Sequence, residues 1–119
     1  MEIARKLQIK PGQTVFVQNA PEGFTLDLPE AARHVDTGDR ADAVLVFVQD
    51  SSEVATHAGP FIEAARRDAL AYIAYPKAGQ LDTDLNRDTL WGLVTKEGVR
   101  GVRQVSLDDI WSAMRFRPA

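Results

Sequence analysis

Leu70-Ala71-Tyr72-Ile73-Ala74-Tyr75-Pro76-Lys77 decides how this chain is read. The run is apolar from Leu70 to Tyr75, rich in aromatic and branched side chains, and it stops at a proline and a lysine. Successive side chains of a strand point to opposite faces. A run that is apolar at every position therefore has both faces covered, as in the interior of a parallel sheet. Ala43-Val44-Leu45-Val46-Phe47-Val48 has the same character and precedes it by one helix length. Two such strands joined by a helix make a βαβ unit, to which the other segments attach.

The segment between the two runs fits that reading. In Gln49-Asp50-Ser51-Ser52, Ser51 or Ser52 is the expected helix cap, and Glu53 meets the positive end of the helix dipole. Val54, Ala58, Phe61, Ile62 and Ala65 keep helical spacing. Gly59-Pro60 interrupts them, which predicts a kink, or two helices with Pro60 opening the second. Arg66-Arg67-Asp68 then closes the helix with cations at its C-terminal end.

Upstream, Glu2 to Leu7 reads as one or two helical turns, Pro11-Gly12 as a turn, and Thr14-Val15-Phe16-Val17 as the first strand. Pro29-Glu30-Ala31-Ala32-Arg33 has two readings: a helix opened by proline, or a short edge strand ending at Val35. Downstream, Thr83 or Asp84 is placed to cap a helix whose stripe is Leu90, Leu93 and Val94, with Trp91 at its flank and Gly98 at its end. Val99 to Leu107 reads as extended. The tail is ambiguous. Leu107, Ile110, Trp111 and Met114 fit a helical face, while alternation sets Ile110, Ser112, Met114 and Phe116 against Trp111, Ala113, Arg115 and Arg117.

Composition narrows the function classes. The chain has 119 residues, the size of one domain. It has no cysteine, which suits a reducing cytoplasm and excludes disulfides and thiolate zinc sites. No apolar run reaches the ~18 residues of a membrane helix, and Met1-Glu2-Ile3-Ala4-Arg5-Lys6 does not read as a signal peptide. The expectation is a cytoplasmic protein without a membrane partner. Fourteen basic residues against 17 acidic ones give a net charge of −3, which argues against nucleic acid as a partner.

Chemistry-bearing motifs are sparse. Asn19-Ala20-Pro21-Glu22-Gly23 follows the first strand, where a dinucleotide-binding turn would lie. It holds one glycine, and its proline lacks a donor amide, so it makes a poor phosphate cradle. Asp36, Asp39 and Asp42 do not satisfy the calcium-loop register. His34 and His57 have neither triad nor zinc spacing. No catalytic residue, metal or cofactor is assigned.

Three pieces of the chain carry a resemblance. Tyr75-Pro76-Lys77, Asp84-Leu85-Asn86-Arg87-Asp88-Thr89-Leu90-Trp91, and Asp108 through Pro118 with its Asp-Ile-Trp-Ser-Ala-Met-Arg-Phe-Arg-Pro sequence resemble a family of short bacterial proteins. That family is a domain of unknown function related to truncated class I methyltransferase folds. Leu7-Gln8-Ile9-Lys10-Pro11-Gly12 through Phe16 also resembles the lead-in to the first methyltransferase strand. The resemblance implies that the tail is an antiparallel edge hairpin rather than a helix. It implies no activity. Methyltransferases hold S-adenosylmethionine against an acid-plus-glycine loop after the first strand, and Val17-Gln18-Asn19-Ala20-Pro21-Glu22-Gly23 lacks that glycine spacing.

The expected fold is therefore an α/β three-layer sandwich. Its sheet is mostly parallel and Rossmann-like, of a minimal methyltransferase type, with an antiparallel C-terminal strand pair. Ligands of such sheets sit beyond the carboxyl ends of the strands. That places Asn19, Glu22, Asp50, Ser51, Tyr75 and Lys77 around one expected crevice, with Lys77 free to hold an anion or pair with Asp82, Asp84 or Asp88. A second candidate surface comprises Asp84, Arg87, Trp111, Ser112, Arg115 and Arg117, for a protein partner, a second copy of the chain or an anion. The leading expectation is a non-catalytic protein-interaction module. The alternative is a small-molecule or nucleotide binder, or a vestigial transferase, using the crevice.

Overall fold

A computed structural model describes residues 2–119. Its elements run α1 (Glu2–Lys6), β1 (Thr14–Gln18), β2 (Arg33–His34), β3 (Ala43–Phe47), α2 (Ser51–His57), α3 (Gly59–Arg66), β4 (Leu70–Pro76), α4 (Arg87–Thr95), β5 (Val99–Ser106) and β6 (Trp111–Pro118). The six strands form one sheet in the order β2-β1-β3-β4-β6-β5. The first three pairings are parallel and the last two antiparallel, so five strands run one way and β6 runs against them.

The two deciding runs are adjacent parallel strands, with Ala43 opposite Leu70 and Phe47 opposite Ala74. Every residue of β3 is buried, as a strand covered on both faces requires. On one face Val44, Val46, Ala71, Ile73, Met114 and Phe116 pack under α2, α3 and α4. On the other, Leu45, Phe47, Tyr72 and Ala113 pack under α1 and residues 24–28. The outer layers are unequal. Three helices cover the first face, and one short helix with irregular chain covers the second. Fully burying a side chain of Leu, Ile or Phe size contributes about 1.5–3 kcal/mol, so these two apolar clusters dominate the energetics of the fold.

Several local expectations are settled. Pro60 opens α3 and Gly59 begins it, so the interruption produces two helices. Residues 29–32 turn rather than coil, with Ala31 at φ +62, and the segment ends as the two-residue edge strand β2. The cap of α2 is Asp50, not Ser51 or Ser52, because its carboxylate reaches the amides of Ser52 and Glu53. The cap of α4 is Asn86, not Thr83 or Asp84, in a reciprocal capping box with Thr89. Leu85 is buried, so the chain must reach the core before the helix can begin.

The tail is a strand, and alternation gives its faces correctly. Trp111 and Ala113 meet the α1 side, while Met114 and Phe116 meet the helical side. Its position differs from the expectation in one respect. β6 lies between β4 and β5, so β5 is the edge of the hairpin. Gly98, at φ +88, turns the chain from α4 into that edge strand. No helix among the described residues is long and apolar enough to cross a membrane.

Candidate functional site

In this topology the chain leaves β1 for β2 on one side of the sheet, and β3 leads to β4 on the other. The carboxyl ends of β1 and β3 therefore flank the switch point where ligands commonly settle. That crevice is filled from within. Asn19, at φ +61, donates its side-chain amide to the Phe47 carbonyl at 2.9 Å and to Glu53 Oε1 at 3.3 Å. The same Glu53 oxygen accepts from the Gln49 backbone amide at 2.6 Å. Asp50 Oδ1 accepts from the amides of Ser52 and Glu53 at 3.0 and 3.2 Å, and from the Ser52 hydroxyl at 2.6 Å.

From the other side, Asp84 accepts from the Ser51 amide at 2.9 Å and the Ser51 hydroxyl at 2.5 Å. These bonds, the hydroxyl one foremost, hold the Asp84 carboxyl below its ordinary range. Three carboxylates thus occupy the donors that an anionic ligand would need. Glu22 lies exposed in the turn beyond β1 and is not bonded to this network among the described residues.

Tyr75 and Lys77 do not join that crevice. Tyr75 is the penultimate residue of β4 and Lys77 follows the strand's end, where a groove of about 600 Å³ is lined by Tyr75, Lys77, Asn86, Arg87, Ser106 and Ser112, among others. Its floor follows from strand register. Residues directly opposite on neighbouring strands share a face. Across β4, β6 and β5, Ala71 stands opposite Phe116 and Phe116 opposite Gly101, then Ile73 opposite Met114 and Met114 opposite Gln104. The next row is Tyr75, Ser112 and Ser106. On β4 and β6 the face thus changes from apolar to hydroxylic along the strands. Helix α4 covers the apolar rows, its Trp91 ring lying 3.1 Å from where a Gly101 Cβ would stand. It begins at Arg87, on the rim of the groove.

The polar groups of this row are unevenly satisfied. Lys77 donates its ammonium to Ser106 Oγ at 2.8 Å, and forms no ion pair with Asp82, Asp84 or Asp88 among the described residues. Ser112 is buried to 4 % exposure. Tyr75 is buried to 2 %, and its hydroxyl has no partner among the described residues. An unpartnered buried hydroxyl costs about 1–3 kcal/mol. Burial raises the Tyr75 phenol above its usual range, with Arg87 acting weakly the other way, so the group stays protonated and can donate. Tyr72 supplies the contrast on the same strand: its hydroxyl donates to the Leu7 carbonyl at 3.0 Å.

The second predicted surface also divides. Arg87 and Ser112 belong to the groove, while Asp84 belongs to the closed crevice. Trp111 is buried edge-on against Phe47, with ring centres 5.1 Å apart, and seals the core. Arg115 is half-buried on the same face as Trp111 and reaches Gln8 at 3.4 Å. Arg117, at the far end of β6, holds Asp68 through two bonds of 2.8 Å, which depress the Asp68 carboxyl. These residues form no common surface, because the strand carries them from one end of the sheet to the other.

Sequence reasoning missed Asn86, Ser106 and Glu53. Asn86 is legible from its spacing to Thr89, and Ser106 from the polar alternation of Gln104 and Ser106 in an extended segment. Glu53 gave no signal beyond its place in a first turn. No group of three or more His, Asp or Glu residues among those described is arranged to hold a metal. No protein-family model matches the chain, and no curated protein matches it.

Proposed function

We propose that this chain is a non-catalytic binding module on a degenerate methyltransferase-like sheet, acting in the cytoplasm through the groove beyond β4. The observation that carries the reading is Tyr75, which lines the groove beside Lys77, Arg87 and Ser112 and whose buried hydroxyl has no partner among the described residues. A ligand that draws this hydroxyl toward the groove restores a hydrogen bond that folding leaves unmade. A phenol held protonated serves as a donor and a poor base, which favours recognition over proton abstraction. The kinship with methyltransferases is supported by the parallel strands followed by an antiparallel C-terminal pair, and fold kinship by itself brings no activity. The self-filled crevice after β1 is the feature that argues against S-adenosylmethionine.

The test is a thermal-shift screen of nucleotides, S-adenosylmethionine analogues and small metabolites. A compound at 100 times its dissociation constant stabilises the protein by about 2.7 kcal/mol. Hits should lose their shift in Tyr75→Phe; a screen without any hit sinks the reading.

Protein contact is the second reading, and a separate observation favours it. β5 is a free sheet edge, and beside it Trp91 and Val102 are 41 % and 37 % exposed. An open strand edge flanked by apolar side chains suits strand addition by a partner or a second copy. Light scattering that reports a strict monomer at high concentration removes the self-association form of this reading.

A further inference from the structure

The groove also has a sign. We propose that its occupant is a small organic oxyanion, with a carboxylate or phosphate group held by Lys77 and Arg87 over the cross-strand row of Tyr75, Ser112 and Ser106. This rests on the groove reading above and adds the charge of the ligand.

The argument starts from an imbalance. The protein carries a net charge of −3, yet the groove is lined by two cations and by no carboxylate among the described residues. The acids of the neighbouring loop are committed elsewhere or remain at the surface. Asp84 faces Ser51, and Asp88 stands 3.6 Å from Arg87 with both side chains largely exposed. Such an exposed pair contributes little, so the Arg87 fork is free to turn onto a better acceptor. The Lys77 ammonium has a neutral partner, the Ser106 hydroxyl, where three acids lay within sequence reach.

Three further features converge on the same space. Tyr75 lines the groove, and its buried hydroxyl is unpartnered among the described residues and able to donate. Helix α4 starts at the rim with nine residues, so the positive end of its dipole adds to the two cations. Ala78 and Val105 give the lining an apolar part, and about 600 Å³ is room for a small organic molecule rather than a bare ion. Charge-assisted hydrogen bonds from ammonium and guanidinium are the strong ones, and the low-dielectric floor beneath them raises their effect.

The test is an amide NMR titration of the full chain. Inorganic phosphate and succinate serve as separate probes, each matched against sodium chloride at equal ionic strength. The expected result is saturable movement of the Lys77, Ala78, Asn86, Ser106 and Ser112 amides with at least one probe, and the tighter one names the head group. Lys77→Gln and Arg87→Gln should each weaken that binding about tenfold while amides elsewhere keep their positions. Tyr75→Phe should weaken it while raising the melting temperature of the free protein. Movements no larger than those in chloride, or binding indifferent to both glutamine variants, overturn the proposal. Adenosine and a set of uncharged fragments complete the design. If these bind in the groove and the anions do not, the charge inference falls and the groove reading stands. If nothing binds, both fall.

Discussion

The crevice between β1 and β3 and the groove beyond β4 are built from the same kinds of residue and end in opposite states. In the crevice, Asn19, Glu53, Asp50, Ser51 and Asp84 answer one another's hydrogen bonds. In the groove, among the described residues, Tyr75 keeps an unanswered hydroxyl and Lys77 and Arg87 lack a carboxylate well seated against them. The first arrangement stabilises the chain. The second holds unused bonding capacity, which is what recognition of a ligand draws on. Position in the fold does not by itself decide where a site lies; the residues that fill the position do.

That contrast can be broken at several points. The largest effect is expected at the crevice, where Glu53→Ala removes a carboxylate that accepts from Gln49 and Asn19. It should cost about 1.5–3 kcal/mol in urea unfolding, the range for bonds to a charged group. A loss under about 0.5 kcal/mol, the scale of a neutral surface change, would mean the crevice is not knitted as described.

The two tyrosines of β4 give the sharpest comparison. Tyr72→Phe strands the Leu7 carbonyl and should destabilise by about 1 kcal/mol, whereas Tyr75→Phe removes an unpartnered hydroxyl and should gain about 0.5–1 kcal/mol. Two substitutions of identical chemistry, three residues apart, are expected to differ in sign. Equal losses would show that the Tyr75 hydroxyl is satisfied after all.

Acid sensitivity offers a finer probe. The Asp84 carboxyl is held below its ordinary value of 3.8, so its contribution is present above that value and disappears as pH falls through the depressed one. The difference in melting temperature between the parent and Asp84→Asn should be complete above about pH 5 and close in the acid range. A difference that persists unchanged below the ordinary value would point to packing instead of charge. Lys77→Ala should do least, within about 0.5 kcal/mol, with solubility and oligomeric state unchanged. A larger loss would make the lysine structural.

How much of this was legible in the sequence depends on the range of the interaction. Ala43 to Val48 and Leu70 to Tyr75 announce themselves because a strand buried on both faces leaves no polar position. Alternation in the tail gave the right faces for Trp111 and Met114, but Leu107, Ile110, Trp111 and Met114 also satisfy a helical period, so the pattern could not choose alone. The sequence does not locate the cap of α4, because Thr83, Asp84 and Asn86 share the chemistry of a cap. What decided among them is the burial of Leu85, a tertiary fact. The sequence shows the groove only in halves: it places Tyr75 and Lys77 at one site and Arg87 and Ser112 at another, since only the register across three strands sets Tyr75 beside Ser112 and Ser106.

The stretch that leads from β4 to the Asn86 cap follows a separate set of rules from the sheet beneath it. Beyond Lys77, which is held to Ile110 and Ser106, it is tied to the rest of the molecule by Leu85 in the interior, the Leu81 carbonyl on Gln49, and Asp84 on Ser51. The hydroxyl row is fixed by backbone pairing and cannot drift, whereas the overhanging segment can lengthen at a cost that grows only with the logarithm of its length. One molecule therefore combines an invariant platform with a replaceable awning. Exchanging the awning alone is a route to new selectivities on an unchanged chassis.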